Sequence, residues 1–168
     1  MAAILCIVGP SGSGKTLLLE ALVRELSRQG WRVGAVKHAP HGFSLDVPGK
    51  DSWRLREAGA ARVAVAGPDG VAIWGGGAPD DLDQVLAWLS PAALDLVLVE
   101  GFKLSPYPKI VLAWDGDSSL GPQQKQEVLG RLPPLASPEQ AAVAAERLVG
   151  PLSAQLLERR AAVEAAAL

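Results

Sequence analysis

Apolar positions along this chain fall into two rhythms, short unbroken runs and helical stripes. Ala3-Ile4-Leu5-Cys6-Ile7-Val8 is an unbroken run that ends at a glycine-rich stretch. A run of that length bounded by glycine predicts a strand buried on both faces of a parallel sheet. Leu19, Leu22, Val23 and Leu26 then follow the i, i+3, i+4, i+7 spacing of one helix face, and Gly30 stands where that helix should stop. The segment from Trp31 to Val36 is the next strand, and a strand reached through a crossover helix is expected to return right-handed and parallel.

Beyond it, Lys37 to Lys50 is polar, contains glycine and proline, and shows no period; loops this long are often functional. Asp51 to Ala58 predicts a short helix, with Asp51 a candidate N-cap. Arg62-Val63-Ala64-Val65-Ala66 and Val71-Ala72-Ile73-Trp74 flank Gly67-Pro68-Asp69-Gly70, which predicts a β-hairpin and hence a mixed sheet. Leu82, Val85, Leu86 and Leu89 restore the helical spacing, Pro91 closes that segment, and Leu96-Val97-Leu98-Val99 is a second central strand. Lys109 to Trp114 is a further strand. Ser137-Pro138-Glu139-Gln140 offers an N-cap serine, a proline at the first helical position and a glutamine to complete a capping box. Pro151 to Leu168 is read as helical as well.

The glycine-rich stretch between the first strand and first helix is Gly9-Pro10-Ser11-Gly12-Ser13-Gly14-Lys15-Thr16. Glycine, four residues, then Gly-Lys-Thr is the P-loop pattern, and it stands between strand and helix, the context that gives the pattern meaning. Glycines let the backbone curl so that successive N–H groups face phosphate oxygens, and the helix N-terminus adds partial positive charge. Lys15 is expected to reach the β- and γ-phosphates, and the Thr16 hydroxyl to ligate Mg²⁺. The fold class expected is α/β of the P-loop NTPase type: a mostly parallel β-sheet with helices on both faces and an added β-hairpin, in a single domain spanning residues 1–168.

Composition narrows the partners. Lys+Arg number 16 against 18 Asp+Glu, a balance that advertises neither nucleic acid nor anionic lipid but leaves room for a local anion site. Cys6 is the single cysteine, so neither an internal disulfide nor a multi-thiolate zinc site is expected, and a buried small hydrophobe is the favoured reading of it. No apolar stretch reaches the roughly 20 residues of a membrane span. The chain is read as cytoplasmic.

A P-loop site needs a carboxylate at the end of a neighbouring strand to hold the metal or its waters. Glu100, directly after Leu96-Val97-Leu98-Val99, is the candidate, and Gly101 behind it could bring a backbone N–H to the γ-phosphate. Asp95, before the run, should lie at the opposite edge of the sheet. In the long loop Asp46 could approach Mg²⁺ and Lys37 or His38 could meet an anion, each weighed against an ordinary solvated loop charge. A mobile switch fits that composition.

Five segments in order carry a resemblance: Gly9 to Thr16, Val36-Lys37-His38, Asp46-Val47-Pro48-Gly49-Lys50-Asp51-Ser52, Arg56-Glu57-Ala58-Gly59-Ala60 and Leu98-Val99-Glu100-Gly101-Phe102-Lys103. Together they resemble the molybdopterin-guanine dinucleotide biosynthesis protein B family, from Ile4 to about Trp114, with little of it after Asp115. The resemblance implies a homodimer that binds GTP with Mg²⁺, hydrolyses it slowly at best, and assists a molybdenum cofactor guanylyltransferase that joins GMP to molybdopterin, itself a candidate ligand. It implies that Gly12, Gly14, Lys15 and Thr16 hold the phosphates, that Lys37 and His38 line the same cleft, and that Gly101 stands with Glu100 on the γ-phosphate side; Gly9, Ser11 and Ser13 of the loop are expected to belong to the nucleotide site as well. Thr16, Asp46 and Glu100 would serve the metal, and Lys15 and Glu100 would carry any chemistry.

No Asn-Lys-x-Asp segment follows a late strand; Trp114-Asp115-Gly116-Asp117 is the candidate substitute for reading guanine, against a plain polar turn. Two other functions use the same loop. A small-molecule kinase would need a lid with phosphate-clamping arginines, and a metal-insertion GTPase would need a soft-metal site.

Overall fold

The computed structural model describes residues 2–43, 46–68, 70–75, 81–89, 93–114 and 128–166, with the backbone alone for 155–157 and 159–166. Its elements in chain order are β1 (Ala3–Val8), α1 (Lys15–Arg28), β2 (Val33–Lys37), α2 (Asp51–Glu57), β3 (Arg62–Gly67), β4 (Gly70–Gly75), α3 (Leu82–Trp88), β5 (Leu96–Glu100), β6 (Lys109–Leu112), β7 (Val128–Leu132) and α4 (Pro138–Ala166). They form two compact units, Met1–His38 with Asp81–Leu168, and Ala39–Asp80.

The first unit is built on a five-stranded sheet of order β2-β5-β1-β6-β7. All four of its pairings are parallel. Side chains alternate across a strand, and the three central strands use both faces. Leu5 and Ile7, Leu96 and Leu98, and Ile110 and Leu112 pack with Leu18, Leu22 and Leu26 of α1 and Ala141, Ala145 and Val149 of α4. Cys6, Val8, Val97, Val99 and Val111 pack on the other face with Leu82 and Leu86 of α3. Helices therefore cover both faces, and the central strands are continuous apolar runs because neither face meets water.

Helix ends are where local chemistry shows most clearly. Gly30, at φ +88, closes α1. Its N–H donates to Ser27 O at 3.0 Å and the Trp31 N–H to Leu26 O at 3.1 Å, the paired bonds of a Schellman stop. The Ser137 hydroxyl accepts the Gln140 N–H at 3.3 Å, as a capping box requires, but Gln140 Oε1 reaches one residue further than expected and accepts from the Ala136 N–H at 2.8 Å. The two helical segments read from the C-terminal sequence are one helix, α4, which continues through Pro151. Asp51 opens α2 inside its first turn, and Lys50 holds the cap position.

Two further differences concern the sheets. The hairpin does not make the main sheet mixed: among the described residues β3 and β4 pair only with each other, as a separate two-stranded ribbon in the second unit. A hairpin closes its own ladder through a short turn and needs no third strand to do so. Strand β7, half-buried beside β6 with a register shift at its start, was not expected, because Gly130 and Arg131 break its apolar pattern. Pro91 and Asp69 lie outside the described residues.

Candidate functional site

The loop after β1 curls as its glycines permit. Gly9, Gly12 and Gly14 have φ of +152, +74 and +85. A Cβ on Gly9 would stand 2.1 Å from Leu112 O, and one on Gly14 2.4 Å from Leu135 O. The loop is thus clasped from behind by β6 and by the connector between β7 and α4, whose Leu135 N–H donates to Ser13 O at 3.0 Å. Gly14 caps α1 without a side chain, and the first turn of α1 carries no acidic residue. Its leading N–H groups have no side-chain acceptor there, the condition for an anion-binding helix end. Ser11 and Gly12 are exposed at the tip, whereas Ser13 is fully buried. Its Oγ has no hydrogen-bond partner. A buried hydroxyl left unsatisfied costs on the order of 1–3 kcal/mol. Lys15 arches over the loop, its Nζ donating to Pro10 O at 2.6 Å.

Across from the loop stands Glu100. β5 runs between β1 and β2, and the register places Ile7, Glu100 and Lys37 in one row across the three strands. The Thr16 hydroxyl donates to Glu100 Oε2 at 2.7 Å. Lys37 Nζ donates to Thr16 Oγ1 at 3.2 Å and lies 3.4 and 3.3 Å from Glu100 Oε1 and Oε2. The hydroxyl and carboxylate that the sequence nominated for Mg²⁺ are therefore in direct contact. A hydroxyl and one carboxylate, completed by phosphate oxygens and water, are a donor set that suits Mg²⁺. Thr16 and Glu100 would hold it, and the ion would supply neutralisation of phosphate charge.

Gly101 does something other than expected. Its N–H donates to Ile7 O at 3.0 Å, extending the β5–β1 ladder one residue, so the amide expected to face a phosphate is committed to the sheet. What the glycine provides is clearance: at φ +100, a Cβ would lie 2.7 Å from the His38 Cβ. His38 is held at the same strand ends by its N–H on Glu100 O at 2.9 Å, and its ring stacks on Phe102 at 4.3 Å between centroids. Phe102 has φ +50, an uncommon conformation for a bulky residue and one that clusters at functional sites. Sequence reading missed it, since backbone sign is invisible in a phenylalanine.

Asp46 lies in the second unit. Its Oδ1 accepts from the Ser52 hydroxyl at 2.9 Å and the Val47 N–H at 3.1 Å, and Oδ2 lies 3.7 Å from Arg56. Arg56 also covers the Trp74 ring, 5.3 Å from its centroid. Asp95, at the other end of β5, is clamped by Arg32. The turn Asp115-Gly116-Asp117, considered for reading guanine, lies outside the described residues. Among the described residues no three His, Cys, Asp or Glu side chains gather into a metal-binding group. No helix among them is long and apolar enough to cross a membrane.

A second polar cluster sits beneath the Glu100 turn. Lys109 is 1% exposed at the start of β6, and its ammonium donates to Ser105 O at 2.5 Å and Tyr107 O at 2.7 Å, pinning the loop that follows Phe102. The Tyr107 hydroxyl in turn donates to Asp83 at 2.5 Å. Cys6 faces the Ser105 hydroxyl at 3.4 Å, and burial pushes its thiol pKa up, the mark of an unreactive structural cysteine. A lysine opening an apolar strand was the one available signal for this cluster.

The family described as molybdopterin guanine dinucleotide synthesis protein B matches residues 4–130. The molybdopterin-guanine dinucleotide biosynthesis adapter protein of Haemophilus influenzae is 46% identical over 110 residues, 65% of this chain and 62% of that protein. The Escherichia coli protein of the same description is 42% identical over 120 residues, 69% of this chain and 68% of that one. The match to the Haemophilus protein thus spans less than two thirds of that relative's length. Among solved structures, a MobB homolog from Bacillus stearothermophilus superposes with a TM-score of 0.61 at 29% identity, covering 90% of this chain and 98% of that one. A crystal structure of molybdopterin-guanine biosynthesis protein B gives 0.64 at 26% identity, with 89% and 99% covered.

Proposed function

This chain belongs to the molybdopterin guanine dinucleotide synthesis protein B family, and from that premise we propose that it is an adapter in the making of molybdopterin guanine dinucleotide, binding GTP with Mg²⁺ and assisting a partner guanylyltransferase. The relatives' description as adapter proteins of this biosynthesis supports the role. The observation that carries nucleotide binding is the contact of Thr16 with Glu100 at the mouth of the glycine loop. A glycine cradle with an unsatisfied Ser13 hydroxyl binds phosphates by its backbone, Lys15 draws charge from their oxygens, and Thr16 and Glu100 hold the metal.

Hydrolysis is slow in this reading, because Glu100, beside the Thr16 hydroxyl, serves the metal and is not left to act as a base on water. Two copies associate through the hairpin face that carries Ala64, Ala66, Val71 and Ile73, all exposed and all apolar. The adapter acts in the cytoplasm.

Calorimetric titration of the full chain with non-hydrolysable GTP and ATP in Mg²⁺, on wild type and Lys15→Ala, tests the nucleotide site. GTP is expected to bind in preference to ATP, with binding lost in Lys15→Ala; indifference to Lys15 overturns the phosphate assignment, and preference for ATP overturns guanine specificity. Co-sedimentation with the guanylyltransferase tests the adapter role, and failure to associate with or without GTP removes it.

A further inference from the structure

Glu100 is a carboxylate that cannot do without a cation: its side chain is 12% exposed, against 62% for Lys37. A carboxylate so far out of water is costly unless a counter-charge meets it. Lys37 is that counter-charge, and its placement is specific. The Thr16 hydroxyl directs its one O–H at Glu100 Oε2, so what it turns towards Lys37 Nζ is an oxygen lone pair. One ammonium thus collects a hydroxyl lone pair and both oxygens of a carboxylate, at 3.2, 3.4 and 3.3 Å. Those are the hard oxygen donors a small divalent cation takes, and two cations cannot share them.

We propose that Lys37 is a built-in surrogate for the divalent cation. Its ammonium holds the Thr16–Glu100 pair in binding geometry, is displaced when a metal enters with the nucleotide, and is thereby released towards the incoming phosphates. The backbone need not move: Lys37 ends β2 in register with Glu100, and the next amide, of His38, is bonded to Glu100 O at 2.9 Å. The side chain can move, being mostly exposed on a flexible four-carbon stem. This deepens the nucleotide-site reading and rests on it, yet it makes a prediction of opposite sign. A lysine that only bound phosphate would leave metal binding in nucleotide-free protein unchanged on removal, whereas removing a surrogate tightens it.

The experiment titrates nucleotide-free full chain with Mn²⁺, following free ion by electron paramagnetic resonance, in wild type, Lys37→Met and Lys37→Gln. Both variants are expected to bind Mn²⁺ about tenfold tighter than wild type or better, the repulsion of a second cation having been removed, and the gain is expected to vanish when Glu100→Gln is added. Either Lys37 variant alone suffices if the other does not fold. Equal or weaker Mn²⁺ binding in the folded variants, or no binding in any protein, overturns the surrogate role. GDP binding in saturating Mg²⁺, measured on the same wild-type sample, separates the two ideas. Its absence sinks the nucleotide site without touching the metal result, and its presence beside an unchanged Mn²⁺ affinity sinks the surrogate alone.

Discussion

Gly12 and Gly14 share a left-handed backbone but are constrained by different physics. Around Gly12, at φ +74, an added Cβ meets nothing within 4 Å, while at Gly14, φ +85, it meets the Leu135 carbonyl oxygen at 2.4 Å. Gly12→Ala should therefore cost only the left-handed penalty, about 1–2 kcal/mol. Gly14→Ala should cost at least about 3 kcal/mol, since backbone must shift as well. Urea unfolding of the two variants decides it, and equal costs would mean that the connector does not clasp the loop. The chain's single tyrosine permits a clean second test. Burial and then the hydrogen bond to Asp83 push the Tyr107 phenol up to about 12, from an ordinary phenol value of 10.0. A raised pKa means the folded state holds the proton more tightly, so its stabilisation is whole below pH 10.0 and is lost as pH rises through about 12. Tyrosinate absorbance should titrate near that upper value, and Tyr107→Phe should flatten the alkaline loss of stability. A midpoint at the ordinary phenol value would refute the Asp83 contact. At this scale the sequence was legible where residue type alone carries the chemistry, as at Lys15 and Thr16. It was silent where environment decides, as with the buried hydroxyl of Ser13 or the positive φ of Phe102.

At the scale of elements, helices and central strands were legible because their signals are local. Leu22 and Leu26 are core residues of α1 as their spacing required, and Gly30 stops the helix through bonds made within a few residues. Strand β7 and the passage of α4 through Pro151 were not legible. The first is ordered by pairing with β6 and the second by packing on α1, and neither cause is written in the segment itself. The loop between β5 and β6 likewise depends on a tertiary device, the Lys109 ammonium on two of its carbonyls. Lys109→Met takes that charged donor away and should destabilise the protein by about 2 kcal/mol. Amide exchange across residues 102–108 should speed up with it, and unchanged exchange would show that the loop holds its shape without the lysine.

At the scale of the whole molecule, the hairpin raises the question of partners. Val71 and Ile73 are 68% and 57% exposed on one face of the ribbon, whose other face carries the buried Val63 and the Trp74 ring under Arg56, and exposed apolar surface of this kind marks an interface. Introducing Val71→Lys with Ile73→Lys should turn a dimer into a monomer in sedimentation equilibrium. A wild type already monomeric at micromolar concentration would remove the dimer from the proposed function. By itself, the sequence determined what contiguous residues can specify: a phosphate loop between a buried strand and its helix, the nomination of Glu100 at a strand end, and a hairpin. Tertiary structure alone decided that β5 lies between β1 and β2, which joins Glu100 to Thr16 across 84 residues and sets Lys37 on both. It also decided that the Gly101 amide serves the ladder and that the hairpin stands outside the main sheet. The reason is physical: a strand buried on both faces shows the same apolar run wherever it sits in a parallel sheet, so its neighbours are chosen by how the crossover helices pack and not by its own residues.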